Sequence, residues 1–558
     1  MRSRLHPALV FAVIFVVIFL LHAPLLSLPY FWDEAGYYVP AARDLLLTGS
    51  LIPHTTISNA HPPLVLAWVA LWWKCAGYAP LVARSAMIVV AAFSLLGVFR
   101  LAERVANTNV AIASTVCTAL YPVFFAQSSL AQVDLAAAGL IFWGLRAYFD
   151  RDWSGVAIWF SLAALAKETA IVAPMALVGW ELLLRFGFLK ERIRRRNTGS
   201  EFDAAFTFDP ASARGIASLL IPVVPLAAWY GYHYSRTGYV FGNPEFFRYN
   251  VAATLNPLRF VLALALRLWQ SVGYLHLWVL TGAMALAMME PPLKDGGMER
   301  PRIAIPVQIV FFLLIAAYLV FMALIGGAVL ARYLLPVVPL VIILAVSTLR
   351  RRMRAWPLMI AFVAAAFVLA WFWNPPYGFS PEDNLAYRDY VVMHENAERF
   401  LEARYPMARV LTAWPASDEL TRPWLGYTTR PMQVVRIEDF SLEQVLSAAD
   451  FRDHFDVAFV FSTKYEPPHP LLERWTKWTE LKHGFFGYER DLPAAAAAQI
   501  LGGRIVFAEE HKGQRVAVIE MRQEQILDAR RSTNLPLHQV AGMRFDDQPH
   551  LAAVYQLQ

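Results

Sequence analysis

The sequence predicts a polytopic α-helical membrane protein of about eleven spans that carries a C-terminal soluble α/β domain. Of the 558 residues, 58% are hydrophobic and only 16% are charged, whereas soluble domains carry roughly 25% charged residues. Apolar stretches of roughly 17 to 25 residues, the length that crosses a bilayer, recur from Ala8 to Trp373 and then stop. We therefore expect a membrane domain over residues 1–373 and a second domain over residues 374–558.

The candidate spans share an apolar composition with few charges. They are 8–28, 81–101, 110–127, 130–149, 155–173, 174–189, 215–233, 270–289, 303–325, 332–348 and 357–373. Segment 62–77 is ambiguous because it is short, rich in Trp and contains Lys74. A segment of this kind either spans the membrane or lies flat in its interface.

Clusters of Lys and Arg decide between the two alternatives, because cytoplasmic loops carry an excess of positive charge. If 62–77 lies flat, the clusters at 100–104, 146–151, 190–196, 294–302 and 350–354 all share the side of Arg2 and Arg4. The sequence therefore predicts a multi-pass protein of the cell inner (plasma) membrane, with a cytoplasmic N-terminus and residues 374–558 outside. The same basic residues are expected to contact membrane lipids and not nucleic acid. Four loops then face outward, at 29–80, around 128–134, at 234–269 and at 326–332.

The second domain alternates predicted helices and strands, which is typical of an α/β fold. The elements are helices over 383–404 and 441–449, the latter with a serine cap, strands over 409–413 and 457–461, a hairpin of 504–508 and 515–521, and an alanine-rich helix at 494–498. Cys75 and Cys117 both lie in apolar segments and neither lies in this domain, so the sequence predicts no disulfide framework and no zinc site there.

Ionisable residues in the predicted outer loops are the candidates for chemistry, because charges beside hydrocarbon are costly and usually functional. Asp33 and Glu34 directly follow the first span, and Asp134 lies at the outer end of a later one. The other candidates are His61 before two prolines, Arg332 with Tyr333, and the loop arginines Arg236 and Arg248.

Each candidate also has a purely structural interpretation. Asp33 and Glu34 can be solvated loop acids, and Asp134 can cap its helix or pair with an arginine. His61 can be an ordinary loop residue, and Arg332 can extend from a helix end to the lipid headgroups. Lys167 and Glu168, inside the predicted span 155–173, are expected to form an ion pair with each other.

In their order and shared membrane side, these features resemble the C-type membrane glycosyltransferases (GT-C), particularly the bacterial branch related to protein O-mannosyltransferases and the lipid A aminoarabinose transferase. The resemblance covers nearly all of residues 1–373. It depends on the pair Asp33–Glu34, the Pro-Pro-Leu at 62–64 that opens a Trp-rich helix, Asp134, and the Arg-Tyr-Leu-Leu-Pro segment within 331–339. The predicted C-terminal α/β domain fits the same branch.

The resemblance implies transfer of a sugar, with inversion, from a polyprenyl-phosphate carrier to an acceptor outside the cytoplasm. It implies that Asp33 is the general base, that Glu34 orients the acceptor or Asp33, and that Asp134 binds the sugar or the acceptor. The residues that it assigns to the donor phosphate are Arg332, Tyr333, His61, Arg248 and Arg236.

One departure concerns a metal ion. Many members of the family have a lysine before the two prolines, sometimes preceded by a glutamate that can bind a metal, whereas this chain has Ala60 and His61. A divalent ion is therefore an open expectation for this site, as are the sugar and the nature of the acceptor, whether lipid, glycan or protein.

Two other classes of function compete with the transferase. A transporter or flippase of lipid-linked sugars is the main alternative, but it predicts an internal repeat and broken helices at mid-membrane. A non-catalytic scaffold predicts that Asp33 and Asp134 are dispensable. The position of the acids at the outer edge favours the enzyme.

Overall fold

The computed structural model describes residues 6–185, 212–242, 256–325, 327–467 and 475–522. The chain forms two compact units. Unit 1 consists of Met1–Leu26, Tyr37–Trp373 and Glu382–Leu385, and unit 2 consists of Ser27–Gly36, Asn374–Pro381 and Ala386–Gln558. The sequence predicted a single boundary after Trp373. The two units differ from that prediction in two short segments, Ser27–Gly36 and Glu382–Leu385.

Segment Ser27–Gly36 belongs to unit 2 because its backbone is hydrogen-bonded there. The Tyr30 N–H donates to the Leu425 carbonyl at 3.3 Å, and the Tyr427 hydroxyl donates to the Tyr30 carbonyl at 3.0 Å. The loop that carries Asp33 and Glu34 is therefore held by residues almost four hundred positions later in the chain.

Unit 1 is helical. Its helices are α1 Pro7–His22, α2 Val39–Thr48, α3 Leu64–Ala76, α4 Pro80–Val105, α5 Thr108–Leu120, α6 Pro122–Gln127, α7 Asp134–Asp150, α8 Trp153–Ala166, α9 Val172–Arg185, α10 Ala213–Leu220, α11 Val223–Thr237, α12 Pro257–Val272, α13 Leu277–Ala287, α14 Ile305–Leu324, α15 Val338–Arg352 and α16 Trp356–Phe372. A two-stranded hairpin, β1 Lys294–Asp295 and β2 Met298–Glu299, lies between α13 and α14.

Local sequence explains many of the helix starts. Asn107, Asp152 and Asn256 cap α5, α8 and α12 by accepting backbone N–H groups of the first turn. Helices also pack closely where small residues meet, since a methyl group at Gly139 of α7 would collide with Ser94 of α4.

Among the described residues, five helical stretches are long and apolar enough to cross a membrane. They are Pro7–Leu25, Pro80–Val105, Ala213–Thr237, Pro257–Ala287 and Ile305–Leu324. Other predicted spans correspond to shorter apolar helices, among them Thr108–Leu120, Trp153–Ala166 and Trp356–Phe372. Several spans thus coincide with predicted ones, while the count of eleven and the orientation stay predictions.

One predicted loop was wrong in part. The outer loop expected at 234–269 contains helix α12, which begins at Pro257 and runs into the stretch that ends at Ala287. Arg259 and Arg267 interrupt its apolar pattern, yet both are buried, because their guanidinium groups donate to backbone carbonyls of Gly327 and Leu330. Since these charges have partners, they do not prevent a buried helix.

Unit 2 contains a five-stranded mixed sheet of order β4-β3-β5-β7-β6. Its strands are β3 Arg409–Thr412, β4 Gln433–Arg436, β5 Val457–Phe461, β6 Gly503–His511 and β7 Gln514–Met521. Its helices are α17 Ala386–Arg404, α18 Ala416–Thr421, α19 Leu442–Ala449, α20 Thr476–Phe486 and α21 Ala494–Leu501.

Strands β4, β3 and β5 are parallel, whereas β7 pairs antiparallel with β5 and β6. The predicted terminal hairpin is confirmed as β6 and β7, and Ser441 caps α19 as predicted by accepting the Gln444 N–H. The helix expected from Asp383 begins at Ala386, because residues Pro381–Asp383 form a separate 3₁₀ turn. Strand β4 was not predicted.

Candidate functional site

Asp33 and Glu34 lie at the start of a helical segment in unit 2. Glu34 is fully buried and accepts the Phe31 N–H at 2.9 Å, whereas Asp33 is half-buried. The preceding residue, Trp32, has a φ of +44°. A bulky residue in this conformation costs of order 1–3 kcal/mol and is found mainly where function requires it. The strained residue, Trp32, therefore lies immediately before the predicted base, Asp33.

Aromatic rings of unit 2 hold this strained turn. The Trp32 ring lies 5.2 Å from the Trp414 ring and 5.6 Å from the Tyr390 ring, centroid to centroid. Phe31 contacts Tyr390 edge to face at 5.2 Å. Gly36 packs so closely on Trp414 that a side chain there would overlap the indole. The backbone around Asp33 is therefore fixed by packing.

Asp134 begins α7 within unit 1 and is buried between two cations. Lys167 Nζ lies 2.5 Å from Asp134 Oδ1, and Arg332 Nε lies 3.4 Å from Asp134 Oδ2. All three side chains are at most 6% exposed. Of the two structural interpretations of Asp134, pairing with an arginine is confirmed.

A second acid, Glu382, pairs with Arg332, so that the acids and bases of this region are equal in number. Arg332 Nη1 donates to Gln132 Oε1 at 2.7 Å and to the Glu382 carboxylate. Gln132 Nε2 donates to the same carboxylate at 3.0 Å. Asp134, Glu382, Lys167 and Arg332 thus form a buried network with two negative and two positive charges. We call these four residues the charge network.

The Tyr333 ring lies against the cations of this network. Lys167 Nζ is 4.0 Å from the ring centroid and the guanidinium carbon of Arg332 is 5.6 Å from it. The guanidinium carbon of Arg267 is 5.5 Å away. Cations at these distances are attracted to the ring face, so Tyr333 helps to position both basic members of the network.

His61 is connected to the charge network through Glu168, which follows Lys167 in the chain. His61 Nδ1 lies 2.8 Å from Glu168 Oε2. The residue before His61, Ala60, has a φ of +58°, and Trp229 Nε1 donates to its carbonyl at 2.8 Å. His61, like Asp33, therefore follows a residue in the left-handed region.

The expected ion pair between Lys167 and Glu168 was wrong. Helix α8 ends at Ala166, and Lys167 has an extended backbone with φ of −153° and ψ of 134°. Successive side chains of an extended backbone point in opposite directions. Lys167 therefore pairs with Asp134, while Glu168 pairs with His61.

The structure thus links four predicted site residues, His61, Asp134, Arg332 and Tyr333, through the break between α8 and α9. Arg236 is exposed in the last turn of α11, with its guanidinium carbon 5.6 Å from the Tyr232 ring. Arg248 lies outside the described residues. Asp33 and Glu34 belong to unit 2, so their predicted convergence with Asp134 stays a prediction.

Sequence reasoning missed Glu382 as a member of the site. The signal was present, because Glu382 and Asp383 form an adjacent acidic pair shortly after the last apolar stretch, as Asp33 and Glu34 do after the first. Asp383 is also held, since the Tyr274 hydroxyl donates to its Oδ2 at 2.6 Å. An acidic pair that follows the last apolar stretch is therefore as much a candidate for chemistry as a pair that follows the first.

The residues around His61 provide two ligands for the divalent ion left open by the sequence. Within the described residues, no third His, Cys, Asp or Glu lies close enough to His61 and Glu168 to complete a set of three ligands. Two donors alone do not make a typical metal centre, so a metal at this position stays a prediction.

Residues 60–197 match the family model described as dolichyl-phosphate-mannose-protein mannosyltransferase. The structure is similar to that of ArnT from Cupriavidus metallidurans bound to undecaprenyl phosphate, with a TM-score of 0.51, 14% identity, and coverage of 92% of this chain and 97% of that one. The apo form of that protein gives a TM-score of 0.49 at 15% identity, with coverage of 92% and 97%.

An oligosaccharyltransferase of Archaeoglobus fulgidus in complex with Zn and sulfate gives a TM-score of 0.43 at 13% identity, with coverage of 91% of this chain and 72% of that one. No curated protein sequence matches the chain. The likeness to ArnT bound to undecaprenyl phosphate shows that the chain has the GT-C fold of membrane glycosyltransferases, as the sequence predicted.

Proposed function

We propose that this chain is an integral membrane glycosyltransferase that moves a sugar from a polyprenyl-phosphate donor to an acceptor outside the cytoplasm, with inversion. The observation that carries the proposal is the buried charge network around Asp134. Two of its members, Asp134 and Lys167, lie inside the segment 60–197 that matches the mannosyltransferase family model. A fold shared with a protein whose structure contains undecaprenyl phosphate supports the choice of donor.

In the proposed reaction, Asp33 acts as the general base. Its carboxylate takes the proton of the acceptor hydroxyl while that oxygen attacks the anomeric carbon. The bond between the anomeric carbon and the phosphate oxygen breaks, and polyprenyl phosphate leaves with the electron pair. General-base assistance of this kind contributes typically 10²- to 10⁴-fold to the rate. The strained, packed turn at Trp32 supports the role because a base must be held in place.

Glu34 acts as a positioning residue for this base. Its buried carboxylate accepts the Phe31 N–H, which closes the turn that contains Asp33. Asp134 has the proposed role of binding the sugar or the acceptor. Its oxygens lie beside Lys167 Nζ and Arg332 Nε, and carboxylate oxygens can also accept hydrogen bonds from sugar hydroxyls.

The leaving phosphate needs positive charge to receive it. The proposed donors of that charge are His61, Arg332, Arg236 and Arg248, with the Tyr333 ring beside Arg332. The His61 ring is held by Glu168, whose Oε2 lies 2.8 Å from His61 Nδ1. A divalent ion that binds the same phosphate is a separate proposal, and the roles given above do not depend on it.

Replacement of Asp33 tests the assignment. We expect Asp33→Asn to yield a membrane-inserted protein whose transferase activity falls by at least about 10²-fold, the lower end of the general-base contribution. The measurement is the sugar content of the cell envelope in a strain that lacks the gene, complemented by either form and analysed by mass spectrometry.

The matched control is Asp295→Asn. It removes an exposed carboxylate of the β1–β2 hairpin that pairs with Arg300, so we expect wild-type activity. Equal membrane levels of the three proteins ensure that folding does not account for the difference. Full rescue by Asp33→Asn would refute the role of Asp33.

A further inference from the structure

Unit 2 contains a cluster of ionisable side chains that the proposed reaction does not use. His394 and Glu398 lie on the same face of α17, one turn apart, and Glu419 lies on α18. All three are fully buried, and one potential ligand atom of each lies within 4.8 Å of the others. His394 Nδ1 is 2.8 Å from Glu419 Oε2 and 4.0 Å from Glu398 Oε1.

Several polar atoms of the cluster have no hydrogen-bond partner within the described part of the chain. They are His394 Nε2, both carboxylate oxygens of Glu398, and Glu419 Oε1. The surroundings are aromatic, with Tyr390 stacked on the His394 ring at 3.9 Å and Phe461 of β5 at 4.6 Å. Burial of an uncompensated carboxylate in such a site costs several kcal/mol, so the cluster requires a further positive species.

We propose that His394, Glu398 and Glu419 bind a divalent transition-metal ion, with Zn²⁺ as the ion that this donor set fits best. One imidazole and two carboxylates are typical zinc ligands, at about 2.0–2.2 Å from the metal. Hard ions such as Mg²⁺ and Ca²⁺ prefer oxygen ligands alone. Ligand atoms about 2.1 Å from one tetrahedral ion lie about 3.4 Å apart, so the atoms that are now up to 4.8 Å apart would have to move closer when the ion binds.

A proton is the competing positive species. Burial and the neighbouring Glu419 raise the pKa of the Glu398 carboxyl well above its usual range. One proton between the two carboxyl groups satisfies a single pair of oxygens and leaves His394 Nε2 and other oxygens unpaired. A bound ion compensates both carboxylates at once and takes His394 Nδ1, the nitrogen that faces them, as its third ligand, which is why the unpartnered carboxylate oxygens favour it.

The ion would tie α17 to α18 beside the central strand β5. Tyr390 and Trp414, which pack on Trp32, come from α17 and from the segment just before α18. Metal binding would therefore stabilise unit 2 as a folded body. This inference is independent of the proposed sugar transfer, since none of its ligands takes part in that reaction.

The test uses the full chain, purified in detergent through an affinity tag without histidine. We expect elemental analysis to find stoichiometric zinc in the purified protein. We also expect the protein, stripped with a chelator and loaded with Co²⁺ alone, to show the visible absorption of a protein-bound cobalt site. Zinc should raise the unfolding temperature of the stripped protein.

Two variants on α17 complete the experiment. Glu398→Gln removes a ligand with little change of volume and should lower the affinity for zinc by at least about tenfold, the loss that substitution of even an outer-shell residue typically causes. Glu395→Gln, which removes a carboxylate paired with Arg399 outside the cluster, should retain full occupancy. The proposal is overturned if the wild type binds neither zinc nor Co²⁺, or if Glu398→Gln binds both as well as Glu395→Gln does.

Discussion

At the residue scale, the charge network shows how an ionised acid is kept inside a hydrophobic bundle. Asp134 has two cationic neighbours, and Arg332 bridges it to Glu382 through the same guanidinium group. Removal of one partner from a buried pair leaves an uncompensated charge, which typically costs 3–5 kcal/mol. The network therefore stabilises unit 1 only as a complete set.

Lys167→Met tests this dependence. We expect the free energy of unfolding to fall by about 3 kcal/mol, because Asp134 then keeps only the more distant Arg332. Thermal unfolding of the full chain in detergent measures the change. Lys74→Met is the matched control, since Lys74 is exposed at the end of α3 and its loss should change stability by less than about 0.5 kcal/mol.

The double variant Lys167→Met/Asp134→Leu separates charge from packing. It removes one acid and one base together, so it should recover part of the stability lost by Lys167→Met alone. Equal losses for Lys167→Met and Lys74→Met would show that Lys167 makes no stabilising ion pair.

At the element scale, Gly36 shows how segment Ser27–Gly36 is held in unit 2. A methyl group at this position would overlap the Trp414 indole. We expect Gly36→Ala to displace that ring or the turn, to lower stability by about 1–3 kcal/mol, as overpacking does, and to reduce activity through the misplaced Asp33. Thermal unfolding and the envelope-sugar assay measure the two effects.

Gly179→Ala is the control for this substitution. Gly179 lies in α9 with open space around the position of an added methyl group, and alanine is the better helix former by up to about 1 kcal/mol. We expect unchanged or higher stability and normal activity. If Gly36→Ala behaves in the same way as Gly179→Ala, the contact with Trp414 does not position the turn.

The sequence predicted elements best where hydrophobic pattern and local signals agree, as at the Ser441 cap and in the β6–β7 hairpin. It failed at α12, where buried arginines interrupt the apolar pattern. It also failed at Lys167, where α8 ends, the backbone is extended and the side chain pairs with the distant Asp134. A hydropathy scale penalises every charged residue, but it does not indicate which of them form hydrogen bonds or ion pairs in the folded protein.

At the scale of the whole molecule, the GT-C fold was predictable because the acidic pair Asp33–Glu34, the Pro-Pro-Leu at 62–64, Asp134 and the Arg-Tyr-Leu-Leu-Pro segment follow one another in the order of the family that the chain resembles. The assignment of Ser27–Gly36 to unit 2 was not predictable. It depends on hydrogen bonds from Tyr30 to Leu425 and from Tyr427 to Tyr30, which join residues far apart in the chain. The buried cluster of His394, Glu398 and Glu419 was missed for a related reason, because Glu419 comes from a different helix.

Binding of the proposed donor lipid is a property of the whole chain and can be measured without knowledge of the sugar. Undecaprenyl phosphate should raise the unfolding temperature of the full chain in detergent, because a ligand that binds only the folded state stabilises it by about 2.7 kcal/mol at a hundred times its Kd. Undecaprenol, which has the same tail without the phosphate, is the control and should give a much smaller shift.

Substitution of His61, a proposed contact of the donor phosphate, gives a second comparison of the two lipids. His61→Ala removes the imidazole that Glu168 holds at 2.8 Å, and it should reduce the shift caused by undecaprenyl phosphate while leaving the response to undecaprenol unchanged. Equal shifts from the two lipids in the wild type would mean that the chain recognises only the apolar tail, which would contradict the proposed phosphate-linked donor.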